Sequence, residues 1–360
     1  MKKLLIAFGT RPEIIKLKPL ICELRERNNL EIKLLYVGQH SYTIENVCEM
    51  LDLPSTTTIE TLKIEENSAC GRLDSIVVSI LTECASKHIF EDVHATLVQG
   101  DTTTAFAIAL ASFHASIPVL HLEAGMRSED NHEPFPEEFN RRSISVISSL
   151  HLCPTSVQAS NLLGERVNGE KYVVGNTVCD DICQILFKEV ERRQDFPENC
   201  VVVTLHRREN RKSFPEWFQA IESLASSTDC QHDFLFVIHN SPEVRQHLHI
   251  FKNVKTCEPL EREQFIHLLN KCERVITDSG GVQEEAVFLN KKILLCRKLA
   301  SSERREDENT IFVENPKELE KKWNLANNLL LSHRSHNYIY GDGQSSPKCA
   351  IIIEKFLNSF

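Results

Sequence analysis

The chain reads as α/β: two doubly wound domains, each a parallel sheet with helices on both faces. Short apolar runs alternate with segments of helical periodicity along most of its length. The alternation restarts after Val174-Gly175-Asn176. Two runs, Ala95–Val98 and Pro118–Leu122, lead straight into acidic residues, Asp101 and Glu123. That places carboxylates at the carboxyl edge of a sheet, where open α/β sheets bind ligands.

In chain order, Leu4–Phe8 is a strand and Glu13–Arg27 a helix; Ile32–Val37 is a strand and Tyr42–Leu51 a helix. Ser68–Lys87 is a helix, Ala95–Val98 a strand, Thr103–Ala115 a helix and Pro118–Leu122 a strand. A Pro-rich loop bearing Glu137-Glu138 then leads into another helix. After the restart, strands fall at Val201–Leu205, Phe234–Ile238, Arg274–Thr277 and Lys292–Cys296. Helices fall at Phe214–Ser226, Arg262–Lys271 and Gly281–Leu289. The expected domains are 1–172 and 173–340, separated by a cleft. Residues 341–360 carry a last helix, Ala350–Leu357, expected to pack back on the first domain.

Composition is that of a soluble globular protein, 41% hydrophobic and 26% charged. A net charge of −10 argues against nucleic acid or an anionic membrane as main partner. The basic start MKKLLIAFGTRPE breaks at Gly9 and reads as a first strand rather than a signal peptide. No apolar run approaches a membrane span. Thirteen scattered cysteines fit reduced thiols in a cytoplasmic protein. Cys179 and Cys183 lie four residues apart, but no nearby Cys or His completes a zinc set, so no metal is expected.

Four stretches carry candidate chemistry. In GTRPEIIKLKP, Gly9 permits a tight strand-to-helix turn and the helix N-terminus suits an anion. Arg11 can fork onto a phosphate, and Lys16 lies further along that helix. The bland alternative is a turn with solvated charges. In TDSGGVQEEA, Ser279, Gly280 and Gly281 open a helix whose N–H groups suit a diphosphate, and Glu285 suits vicinal hydroxyls. In TLHRREN, His206 and Arg207 follow a strand, and His239 repeats the arrangement one strand on. The fourth set is Asp101, Glu123 and Glu137, raw material for acid–base chemistry. Each has a bland reading: Asp101 as a helix cap, Glu123 paired with Arg127 or Arg141, Glu137 solvated.

Read together, GTRPEIIK, GQH, GDTTTAFA, HLEAGMR, PFPEEFNRR, GNTV, HRREN and DSGGVQEEA resemble the non-hydrolysing UDP-N-acetylglucosamine 2-epimerase family, in the family's order. The resemblance implies two Rossmann-like domains in the glycosyltransferase-B arrangement, a homodimer, a UDP-sugar substrate, and no cofactor. It implies conversion of UDP-GlcNAc to UDP-ManNAc by loss and return of UDP through a 2-acetamidoglucal-like intermediate, supplying surface polysaccharide. By position, Asp101, Glu123, Glu137 and His206 match its catalytic residues. Arg11, Lys16, Arg127, Arg207, His239, Ser279, Gly280, Gly281 and Glu285 match or neighbour its substrate positions. Gln39, Arg72 and Glu138 match an activator site, but Ser41 and Tyr42 replace residues usual there, so weak or absent substrate activation is expected. Leu205 stands where relatives usually carry Gly or Ala, and 300–306 depart from the usual TTERPE stretch. Competing readings are the hydrolysing relative, an epimerase of a modified UDP-2-acetamido sugar, a UDP-sugar glycosyltransferase, and a nucleotide-sugar-binding regulator.

Overall fold

Near-continuous apolar strands flanked by amphipathic helices are the signature of a sheet buried on both faces. Both sheets here are of that kind, and every pairing between named strands is parallel. A computed structural model describes residues 1–27, 29–38, 42–64, 71–128, 130–188, 196–198, 200–227, 232–298, 308–327 and 338–359. They form two units, Met1–Asp181 with Gly341–Phe360, and Ile182–Tyr340.

The first unit runs β1 (Lys2–Phe8), α1 (Arg11–Arg25), β2 (Leu30–Gly38), α2 (Ile44–Met50), β3 (Ile59–Lys63), α3 (Arg72–Ser86) and β4 (Ala95–Gln99). It continues through α4 (Thr103–His114), β5 (Val119–Leu122), α5 (Glu137–Ile147), β6 (Ser148–Cys153), α6 (Ser156–Gly164) and β7 (Glu170–Val173) into α7 (Thr177–Phe187). The sheet order is β3-β2-β1-β4-β5-β6-β7. Alternate residues of β1 serve the two faces. Leu4, Ile6 and Phe8 join Ile14, Leu17 and Ile21 of α1; Leu5 and Ala7 join Ile76, Ile80 and Ile108 of α3 and α4.

The second unit holds β8 (Val201–Thr204), α8 (Phe214–Ala225), β9 (Phe234–Val237), α9 (Pro242–Arg245), β10 (Lys255–Cys257) and α10 (Arg262–Lys271). It also holds β11 (Arg274–Thr277), α11 (Gly280–Phe288), β12 (Lys292–Leu295), β13 (Thr310–Phe312) and α12 (Leu319–Asn327). The sheet order is β10-β9-β8-β11-β12-β13. Its core is aromatic: Phe214, Trp217, Phe218, Phe234, Phe236 and Trp323. Leu205 is buried in that core, so the larger residue is accommodated by packing.

The last helix, α13 (Ser345–Leu357), packs on α1 through Cys349, Ala350, Ile353 and Leu357, with Arg27 paired to Glu354 at 2.9 Å. The units divide between Asp181 and Ile182, inside α7, rather than at the expected 172/173. The start of α7 is tied to the first unit. Thr177 Oγ1 donates to the Lys16 carbonyl, and the Asp180 carboxylate accepts the Ser345 and Ser346 N–H groups at 3.1 and 2.7 Å.

Four strands absent from the sequence reading, β3, β7, β10 and β13, are the four sheet edges. Edge strands are short and polar, so their sequences (IETLK, EKYV, KTC, TIF) lack the apolar run that marks a central strand. β6 was also missed: Ser148, Ser149 and His151 interrupt its hydrophobic pattern. The helix expected from Ser68 begins at Arg72; residues 65–70 lie outside the described set. Burial pushes the Cys84, Cys153 and Cys272 thiols up to about 12, which makes them inert core groups. Among the described residues no helix is long and apolar enough to cross a membrane.

Candidate active site

In the first unit the site is built on the carboxyl ends of β1, β4 and β5. The turn after β1 is drawn in tightly. A side chain at Gly9 would meet Thr104 Oγ1 at 2.7 Å and the Val37 carbonyl at 3.1 Å, so only glycine fits there. The turn is closed by Glu13, which the sequence reading did not single out. Its buried carboxylate accepts the Gly9 and Thr10 N–H groups at 3.1 and 2.7 Å. It also accepts the hydroxyls of Thr10 and, from the next turn, Thr102, both at 2.7 Å. Burial pushes this carboxyl up, and those four hydrogen bonds act against the shift.

Glu123 follows β5 with φ +66, in the left-handed region. That conformation costs a non-glycine residue roughly 1–2 kcal/mol. Its carboxylate is buried and held from two sides. Lys16 Nζ reaches both oxygens, at 2.6 and 2.5 Å, and the Gln99 amide donates to Oε2. Lys16 is thus an ion-pair partner of Glu123, one that the sequence reading does not weigh. Gly100 (φ +70) lies over the same carboxylate: a side chain there would sit 3.9 Å from Glu123 Oε2.

Asp101, after β4, is gripped by Arg141 of α5, whose Nε and Nη2 lie 2.8 and 2.6 Å from Oδ2. The Asn140 amide donates to the Asp101 carbonyl at 2.8 Å. Asp101 therefore does not cap α4; Thr102 does, accepting the Ala105 N–H. Glu137 is the first residue of that same α5 and is half-buried. These contacts tie Asp101 to the helix that Glu137 opens; Asp101 and Glu123 follow the neighbouring strands β4 and β5.

Glu138 is fully buried and takes hydrogen bonds from Arg141, Arg142 and the Ser128 N–H, at 3.0, 2.8 and 3.1 Å. Arg127 binds Glu165 at 2.8 and 2.7 Å, the Met126 carbonyl and Ser145 Oγ, clamping α5 to the end of α6. Arg11 opens α1, half-buried, and Arg72 opens α3, exposed. Gln39 lies outside the described residues.

In the second unit the organising group is Asp278, also unremarked in the sequence reading. Fully buried after β11, its carboxylate accepts the N–H groups of His206 (3.0 and 3.1 Å) and Arg207 (2.9 Å) and the Asn210 amide (3.0 Å). It thereby fixes the turn after β8. The His206 ring stacks on His239, after β9, with centroids 4.9 Å apart. His239 Nδ1 accepts the Ser241 N–H at 3.1 Å, so the neutral ring carries its proton on Nε2. Burial, and then the neighbouring His206, lower its affinity for a second proton.

Ser279 caps α11, accepting the Val282 N–H, and Gly280 and Gly281 form its first turn. At Gly281 an added side chain would meet nothing nearer than Ser279 Oγ at 4.0 Å. Glu285 is paired with Arg262 at the start of α10. Among the described residues no group of three or more His, Cys, Asp or Glu is placed to hold a metal ion.

The first unit thus offers carboxylates whose orientation is held by cations. The second offers the N–H groups at the start of α11 and the side chains of His206 and Arg207, suited to an anion. The UDP-N-acetylglucosamine 2-epimerase family profile matches residues 22–354. The UDP-N-acetylglucosamine 2-epimerase of Neisseria meningitidis is 33% identical, covering 99% of this chain and all of its own length. That of Salmonella borreze is 32% identical over 97% of each. Among solved structures, S. aureus MnaA with UDP superposes with a TM-score of 0.86 at 30% identity, covering 100% of this chain and 98% of that one. The Neisseria meningitidis enzyme bound to UDP-GlcNAc gives 0.85 at 30% identity, covering 99% and 100%.

Proposed function

The chain belongs to the UDP-N-acetylglucosamine 2-epimerase family, and from that premise we propose that it interconverts UDP-GlcNAc and UDP-ManNAc without hydrolysis. What supports the proposal is that Asp101 and Glu123 follow the neighbouring parallel strands β4 and β5, and that Asp101 is bonded to the helix that Glu137 opens. The C2 hydrogen of the sugar is not acidic, because no carbonyl adjoins it. Cleavage of the C1–O bond, with the electron pair leaving on UDP, makes that hydrogen removable. The C2–H pair becomes the C1=C2 bond of a 2-acetamidoglucal, and the proton passes to a carboxylate. Return of a proton to the opposite face of C2 and of UDP oxygen to C1 gives the epimer. Two faces call for two proton carriers, which the cluster supplies.

Departing UDP is an anion. The side chains of Arg207 and His206, Ser279, and the amide groups of Gly280 and Gly281 are the groups we assign to it, with Arg11. His239, stacked on His206, completes that cluster in our reading, and Glu285 would take the ribose hydroxyls once Arg262 yields. Arg127, held by Glu165 and Ser145, is left out of the substrate set. The product is suited to supplying surface polysaccharide. The test is turnover of UDP-GlcNAc in D₂O followed by NMR. UDP-ManNAc carrying deuterium at C2 is expected. Free ManNAc, or epimer with protium at C2, would overturn the reading.

A further inference from the structure

β5 carries one polar residue on a face otherwise given to the core. His121 is fully buried beside Val98 of β4 and His151 of β6, its cross-strand partners. An aliphatic side chain would suit that position, so the imidazole requires a reason. Its Nε2 lies 2.8 Å from the Gly100 carbonyl. A carbonyl only accepts, so Nε2 carries the proton. Nδ1 is buried with no hydrogen-bond partner among the described residues. A second proton there would be an uncompensated charge in the core. Burial, with His151 and Arg127 nearby, pushes the ring down to about 3, and it stays neutral.

The contact matters because of what Gly100 holds. Gly100 takes a left-handed turn between β4 and Asp101. Its N–H donates to the Leu122 carbonyl at 2.9 Å, and its carbonyl receives His121. Both bonds come from β5, on residues immediately before Glu123. Gly100, the residue before Asp101, is thus pinned through its own N–H and its own carbonyl to the strand that leads into Glu123. The Gln99 amide, at the end of β4, also reaches Glu123 itself, while Arg141 and Asn140 fix Asp101 to α5 and Lys16 fixes Glu123 to α1.

We propose that His121 is a positioning residue that sets Asp101 against Glu123 for proton transfer at C2. The inference rests on the epimerase reading above. A base misplaced by a fraction of an ångström leaves binding intact and slows chemistry by about 10- to 100-fold.

The test compares His121→Gln with His121→Asn. The Gln amide nitrogen extends as far as Nε2 and can still donate to Gly100; the shorter Asn amide cannot reach it. Steady-state turnover of UDP-GlcNAc and calorimetric titration with UDP are measured on the full-length protein. In H121N, kcat is expected to fall at least tenfold, with KM and the stoichiometry of UDP binding within twofold of wild type. In H121Q most of kcat is expected to return. The proposal is overturned if H121N keeps kcat within twofold. It is equally overturned if UDP-binding capacity falls in proportion to kcat, since that marks loss of folded protein. It also fails if Gln is no better than Asn. Failure of the epimerase reading looks different: the wild type itself would then give no C2-deuterated UDP-ManNAc.

Discussion

The two units share a six-strand order, extended by a seventh strand in the first, and differ in how they hold their candidate site groups. In the first, side chains hold side chains: Lys16 grips Glu123, and Arg141 grips Asp101. In the second, one buried carboxylate, Asp278, holds backbone N–H groups, and the anion site proposed above draws on the main chain at the start of α11. The difference follows from the chemistry assigned to each. A proton carrier must present one side-chain oxygen at a fixed point, and a cation partner orients it without blocking both lone pairs. A diphosphate is large and symmetric, and amide dipoles at a helix start stabilise it without any side chain moving. Substitutions should therefore act on chemistry in the first unit and on binding and stability in the second.

The severest loss is expected from Glu123→Gln. The amide keeps the shape but cannot take up the C2 proton, and Lys16 loses its charged partner. Removal of a general base lowers turnover by about 10²- to 10⁴-fold. NMR time courses measure it, with UDP affinity by calorimetry held near wild type. A rate within tenfold of wild type would remove Glu123 from proton transfer.

In the second unit the corresponding break is Asp278→Ala. Three donors, the His206 and Arg207 N–H groups and the Asn210 amide, lose their acceptor inside the protein. The expected cost is about 3 kcal/mol of stability, from urea unfolding. UDP affinity should weaken as the turn after β8 loosens. Unchanged stability would mean that water replaces the carboxylate at little cost.

Glu13 and Asp278 also show what the sequence withholds. Both stand inside motifs legible as a phosphate-binding turn and a Ser-Gly helix start, yet neither was distinguishable there from an ordinary helix-terminal acid. Their roles depend on partners far along the chain: Thr102 for Glu13, and residues 206–210 for Asp278. Only the parallel register brings those together. The central strands were legible because their burial is written as apolar runs. Glu123 was legible because it closes such a run. The Arg127 contacts with Glu165 and Ser145 were not legible, because an arginine after a strand looks the same whether it faces a ligand or a glutamate on a neighbouring helix. His121 was hidden between two leucines in HLEAG, where nothing in spacing separates a core histidine from a working one.

Acid should distinguish the units as well. Burial pushes His121 down to about 3 and His151 down to about 4, whereas the unfolded chain titrates near 6.5. Between those values the unfolded state binds protons that the native state refuses, so stability is full above 6.5 and falls as pH drops through the window. Each ring contributes a slope of about 1.4 kcal/mol per pH unit. H121Q, which cannot titrate, should lose one such slope between pH 6.5 and about 3 relative to wild type, measured by urea unfolding at stepped pH. Parallel stability curves for the two proteins would show that the ring is solvated in the native state.

The smallest effect is expected at the positions that match an activator site. Glu138 is enclosed by Arg141, Arg142 and the Ser128 N–H, and so acts in the scaffold that holds Asp101 rather than as an open ligand group. Arg72 is exposed at the first turn of α3. Arg72→Ala should change stability by no more than about 0.5 kcal/mol. The rate against UDP-GlcNAc concentration should be hyperbolic in wild type, in Arg72→Ala and in Gln39→Ala alike. A sigmoidal wild-type curve that either substitution abolishes would establish a second, activating substrate site. The buried Glu138 would then have to leave its arginines to serve it, and the first unit would owe its geometry to a ligand as well as to its own ion pairs.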